Sequence, residues 1–144
     1  MRVAAQMQQS FLRFHAWAYQ RTGGRLGHHM IGVPTLLLAT IGRRSGTRRT
    51  NALVYAKDGA SYVVVASKGG ADQPPAWLLN LRAQPQVEIQ VARTRMRAQA
   101  AIVEQGDPDY ERLWRLVNDH NHDRYHGYQT KTQRPIPMVV VTPV

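Results

Sequence analysis

The chain contains no cysteine. That excludes a disulfide framework and thiolate chemistry, and it fits a reducing compartment. Acidic residues are scarce, with nine Asp+Glu against 19 Lys+Arg and a net charge of +10. Lysine is scarce as well, since sixteen of the 19 cations are arginine. A guanidinium offers a planar fork of donors that matches phosphate or carboxylate oxygens two at a time. The balance therefore predicts attraction to phosphates, nucleic acid or an anionic membrane surface. No apolar run approaches the ~20 residues of a membrane-spanning helix. The first residues lack the apolar core and cleavage pattern of a signal peptide. The expectation is a soluble cytoplasmic protein. At 43% hydrophobic over 144 residues, the composition excludes a disordered chain and predicts one domain with a core.

What is present reads as a helix followed by short strands. Val3, Met7, Phe11, Phe14 and Ala18 recur at helical spacing, so residues 1–24 are expected to hold an N-terminal helix, ended by Gly23-Gly24. Trp17 and the arginines beside this stripe would also suit a helix lying on an anionic membrane. Residues 25–33 read as a glycine-rich linker. Strands are expected over Thr35 to Ile41, Asn51 to Lys57 and Tyr62 to Ala66. Their near-continuous apolar character calls for burial on both faces or curvature into a barrel. Pro74-Pro75 opens a short helix through Ala83 with Trp77, Leu78 and Leu81 on its buried face. Alternation predicts two more strands, around Val87 to Val91 and Met96 to Ile102. Asp107-Pro108 is expected to cap a helix ending near Asn118, His120 to Gln133 reads as irregular, and Ile136 to Thr142 reads as a closing strand. The fold class is mainly β with helices, an antiparallel barrel or curled sheet of about six strands.

Two stretches carry the chemistry. Gly42-Arg43-Arg44-Ser45-Gly46-Thr47-Arg48-Arg49-Thr50-Asn51 places four arginines on or beside a turn between two strands. Crowding like charges is costly unless water screens them or an anion binds. Ser67-Lys68-Gly69-Gly70 leaves the third strand as a donor-rich loop that leads to a helix, a recurring anion site. Together they predict two walls around one anionic ligand.

These residues resemble the deazaflavin-dependent nitroreductase family, whose members bind coenzyme F-420. The resemblance rests on Leu36 to Gly46 (LLLATIGRRSG), Arg49-x-Asn51, Val64 to Gly70, Trp77-x-x-Asn80-Leu81, Tyr125-x-x-Tyr128 and Ile136-Pro137. It implies a split β-barrel like that of FMN-binding proteins, and hydride transfer from the reduced deazaflavin to a quinone, nitro or activated unsaturated compound. It further implies that Arg43, Arg44, Ser45, Gly46, Arg49 and Asn51 hold the anionic part of the cofactor. Ala66, Ser67 and Lys68 would line the deazaflavin, with Trp77 at the start of the short helix. Tyr125 and Tyr128 would line the acceptor side. Proton donors to the acceptor would be Tyr128, Tyr125, Ser67 and His122, in that order. The chain departs from the family's pattern at Ala52, Ala76 and His122, the last in the first place of an aromatic trio. If the segment is helical, His122, Tyr125 and Tyr128 share one face. Two other readings stay open: a split barrel holding FMN or another chromophore, and a nucleic-acid binder. Against the latter, the aromatic residues do not interleave with the basic ones on a strand platform. His120, His122 and His126 cluster in sequence but lack ligand spacing, so no metal site is expected.

Overall fold

The structure is a computed structural model that describes residues 33–144. The expected N-terminal helix and residues 25–32 of the expected linker lie outside the described residues.

β1 (Thr35–Ile41) runs antiparallel between β2 (Arg48–Val54) and β5 (Gln86–Val91). β6 (Thr94–Val103), β7 (Met138–Pro143), β4 (Ser61–Val65) and β3 (Ala56–Asp58) complete one antiparallel sheet in the order β2-β1-β5-β6-β7-β4-β3. Among the described residues three α-helices accompany it: α1 (Ala76–Ala83), α2 (Tyr110–His120) and α3 (Arg124–Gln129). The architecture is the expected mainly β, curled antiparallel sheet, but with seven strands. The extra one arises because the expected second strand is two. At Tyr55 the chain bends, and its amide reaches back to the carbonyl of Pro34 at 3.1 Å. Before the bend the strand pairs with β1, and after it with β4. The two outermost strands of the sheet are thus successive pieces of one bent strand, and the sheet must curl until its ends meet there.

The apolar runs have the two-sided burial they require. Leu36, Leu38, Val64, Val139 and Val141 face a core closed by Trp77, Leu78 and Leu81 of α1. Val63, Val65 and Met138 point to the other face, under Tyr110, Leu113 and Val117 of α2 and Tyr125 of α3. Full burial of a side chain such as Leu113 contributes about 1.5–3 kcal/mol.

Two local expectations are corrected. Asp107 does not cap α2. Its carboxylate accepts the amide of Glu104 at 2.8 Å and its carbonyl accepts that of Tyr110 at 3.0 Å, so the turn is closed first and the helix starts at Tyr110. The segment after His120 is not all irregular, because Asn118 organises it. Its Oδ1 accepts the amide of His126 at 2.9 Å and its carbonyl that of Asp123 at 2.9 Å, and α3 forms. Among the described residues, no helix is long and apolar enough to cross a membrane.

Tyr110 fastens α2 to the strand approach. Its phenol donates to the carbonyl of the fully buried Ile136 at 2.6 Å, and burial pushes its pKa up to about 12. Tyr110→Phe leaves that carbonyl unpaired and is expected to cost about 1–3 kcal/mol. Urea unfolding checks this. An unchanged midpoint would show that the bond contributes nothing.

Candidate active site

The turn between β1 and β2 is closed by the Gly42 amide on the Thr47 carbonyl and the Gly46 amide on the Gly42 carbonyl, both at 2.8 Å. Gly46 takes φ of 71°, the left-handed conformation such a turn assigns to glycine. The Thr47 amide donates to Ser45 Oγ at 3.1 Å, which leaves the Ser45 hydroxyl proton free for an outside acceptor. The turn is then tied to α1. Asn80, 4% exposed, accepts at Oδ1 both the Arg43 amide and the Arg43 guanidinium, each at 3.1 Å. Its Nδ2 donates to Thr40 Oγ1 at 3.3 Å. One carboxamide thereby fixes strand, turn and helix.

Strand register sorts the arginines. Arg49 lies opposite Thr40 and Asn51 opposite Leu38, so both share the face of Leu36 and Leu38. Arg48 lies opposite Ile41, on the other face, where Glu88 meets it at 3.1 Å. The Arg48 guanidinium, helped by Arg95 and Arg97, holds the Glu88 carboxyl below the usual range. A hollow of about 200 Å³ lies on that face, walled by Arg48, Thr50, Glu88, Gln90 and Arg95, with the Glu88 carboxylate against Arg48. Arg48 therefore leaves the expected cradle. Arg43, Arg44 and Arg49 stay exposed, and among the described residues no carboxylate pairs with them.

The second wall begins where β4 ends. Ala66 is fully buried, with its amide on the Pro137 carbonyl at 3.0 Å, and Ser67 is buried. Lys68, Gly69 and Gly70 follow with φ of 47°, 66° and 86°, three positive values in succession. Gly70 has a double reason to be glycine. A Cβ there would stand 2.6 Å from the Tyr128 carbonyl oxygen and 3.2 Å from its Cα. The loop and α3 are in backbone contact, so Ser67-Lys68-Gly69-Gly70 and Tyr128 are brought together.

The other expected site residues divide. Tyr128 is half-buried and meets Tyr125 edge-on, with ring centroids 6.2 Å apart. Tyr125 is 6% exposed and packed in the second core, where burial raises its pKa to about 12. Trp77 is likewise a core side chain, 5% exposed. His122 does not share the helical face of the tyrosines. It is exposed, has φ of 55°, and precedes Asp123 at φ of 60°, ahead of the first turn of α3. His126 stands edge-on to Trp114, with centroids 5.8 Å apart, and 3.4 Å from the Asp123 carboxylate.

Sequence reasoning quoted Asn80 but gave it no role, and it missed Gln129 and Arg134. Gln129 donates to the carbonyls of Thr132 and Arg134 at 3.3 and 2.8 Å and accepts the Ile136 amide at 3.0 Å. Arg134 donates to the carbonyls of Ala66, Ser67 and Ala71 at 3.2, 2.8 and 2.7 Å. Its partners lie 63 to 68 positions away, so no local pattern announces them.

The loop–helix contact predicts a difference between two glycines. Gly59 also has positive φ, at 60°, but a Cβ there meets nothing within 4 Å. Gly59→Ala carries backbone strain alone, about 1–3 kcal/mol. Gly70→Ala adds a backbone clash and is expected to lose distinctly more stability in thermal or urea unfolding. Equal losses would contradict the contact.

The arrangement joins three arginines without acidic partners among the described residues, a loop rich in positive φ and a half-buried phenol. Such donors suit a ligand with anionic groups at one end and a planar reactive part at the other. Comparison with known proteins agrees. Residues 11–143 match the family described as F420H(2)-dependent quinone reductase. An F420H(2)-dependent quinone reductase of Mycobacterium tuberculosis (strain ATCC 25618 / H37Rv) is 49% identical over 132 residues, covering 91% of this chain and 89% of the relative. A solved F420-H2 dependent reductase, FDR-A, superposes with a TM-score of 0.67 at 34% identity, over 75% of this chain and 93% of its own. A structure described as a domain-swapped dimer gives a TM-score of 0.70 at 30% identity, over 93% of this chain and 98% of that one. By sequence and by fold, this chain belongs to the F420H(2)-dependent quinone reductase family.

Proposed function

We propose that the protein is an oxidoreductase that passes a hydride from reduced coenzyme F-420 to a quinone. The observation that carries this reading is the trio Arg43, Arg44 and Arg49, exposed and without acidic partners among the described residues, in a chain of this family. F-420 brings a phosphodiester and carboxylates, and when bound it supplies the hydride.

The chain's own residues supply the rest. The guanidiniums of Arg43, Arg44 and Arg49 bind the anionic part, with the Ser45 hydroxyl and Asn51 beside them. Asn80 uses one of Arg43's five guanidinium donors and leaves the others for the ligand. Lys68 adds a cation on the opposite wall. Ala66 and Ser67 line the planar part, while Trp77 supports it from within the core. A quinone that accepts a hydride gathers negative charge on oxygen, which a nearby donor stabilises. The Tyr128 hydroxyl is the first donor for that oxygen. Ser67 is the second, and Tyr125, enclosed in the second core, orients Tyr128 edge-on. His122, outside the helical face, is the last. The stripe of residues 2–21 supports contact with an anionic lipid surface, where an apolar quinone would dissolve.

Steady-state oxidation of reduced F-420 in the presence of a quinone panel tests this reading. Absence of turnover with every quinone would contradict it. The anchoring role makes a finer prediction. Arg43→Ala or Arg49→Ala removes a charge-assisted bond worth about 1.5–3 kcal/mol. The cofactor Kd should rise by about tenfold or more, with kcat at saturating cofactor little changed. A Kd that stays put while kcat collapses would overturn it.

A further inference from the structure

Arg134 makes an unusual set of bonds for a cation in a basic chain. It meets no carboxylate directly. Its guanidinium is spent on the carbonyls of Ala66, Ser67 and Ala71, and desolvation by its surroundings lowers its pKa. The chain around it is held as firmly. The Arg134 amide donates to Thr132 Oγ1 at 3.2 Å, and that hydroxyl donates to the Asp72 carboxylate at 2.8 Å. Gln129, at the end of α3, holds the Arg134 carbonyl.

The direction of those carbonyls fixes the opposite side of the loop. In a trans peptide the C=O and the following N–H point in opposite senses, and no described peptide bond is cis. With the Ala66 and Ser67 carbonyls turned to Arg134, the Ser67 and Lys68 amides turn away from it. Among the described residues no acceptor meets either amide. Ser67 has right-handed φ and ψ of −83° and −36°, and Lys68 has left-handed φ of 47°. That succession makes neighbouring N–H groups converge into a concavity that binds anions or electron-rich oxygens. The same loop touches Tyr128 through Gly70.

We propose that Arg134 is the positioning residue of the cofactor site: by binding three carbonyls from behind, it aims the Ser67 and Lys68 amides at an oxygen of the bound deazaflavin. The Gln129–Arg134 bond carries this loop and α3 as one unit, so the cofactor wall and the acceptor wall keep a fixed separation. This proposal rests on the reading of the site as one for F-420.

The test uses the full chain with Arg134→Ala and Arg134→Lys, F-420 binding by fluorescence quenching, and amide hydrogen exchange of residues 66–71 in the free protein. In Arg134→Ala the Kd for F-420 should rise by about tenfold or more, and the bonded loop amides of Ala66, Gly70 and Ala71 should exchange faster. Guanidinium ion added to this variant should restore binding in part, which a general loss of packing would not allow. Arg134→Lys keeps the charge but not the fork, and it should fall between wild type and Arg134→Ala. Wild-type Kd and wild-type exchange in either variant would overturn the proposal, as would faster exchange with an unchanged Kd. If the wild-type chain itself does not bind F-420, the reading of the site fails. The exchange arm still decides whether Arg134 holds the loop, and unchanged exchange there would overturn that as well.

Discussion

Where Tyr55 donates its amide to Pro34, one strand changes partners, and the site exists because of that change. A strand that pairs with β1 before the bend and with β4 after it forces the sheet to close on itself. Closure sets β2, with Arg49 and Asn51 on its inner face, beside β4, which runs out into Ser67 and Lys68. Neither wall binds the other directly. Both are held by the geometry of the barrel and then locked by single polar side chains, Asn80 on the arginine turn and Arg134 on the glycine loop. The burial of Asn80 and the three carbonyls held by Arg134 keep these locks from competing with water. A buried polar group left unpaired costs more than an exposed one.

The electrostatics follow from register more than from count. Four arginines in ten residues look like a single cluster in the sequence. The strand places Arg48 and Arg49 on opposite faces, because alternate side chains point opposite ways. Arg48 finds Glu88 and becomes part of the outer surface. The arginines left on the site side have no acid to satisfy them among the described residues. An anionic ligand would supply that counter-charge.

Much of this was legible in the residues. Thr35 to Ile41 reads as a strand from its apolar run and is one to the residue. Ser45-Gly46 announces the turn, and the position of Gly46 at positive φ follows from its chemistry. The break at Tyr55 was not legible, since Asn51 to Lys57 is uniformly strand-like and the bend is imposed by two different partners. Helix α3 was hidden because its sequence, Arg-Tyr-His-Gly-Tyr-Gln, has little helical propensity and forms through the Asn118 bonds. Counting along a helix sets His122 beside the tyrosines. The positive φ of His122 and Asp123 moves the helix start past it. Arg134 lies beyond sequence reasoning altogether, because its role is written in carbonyls 63 to 68 positions away, in the loop that leaves the neighbouring strand β4.

Arg43, Arg44 and Arg49 together offer more cationic donors than a single phosphate requires. Fluorescence quenching titrations of F-420 and of FMN against the same protein test it most directly. F-420 should bind more tightly than FMN, and equal or tighter binding of FMN would mean that the arginine trio is not built for the larger anion.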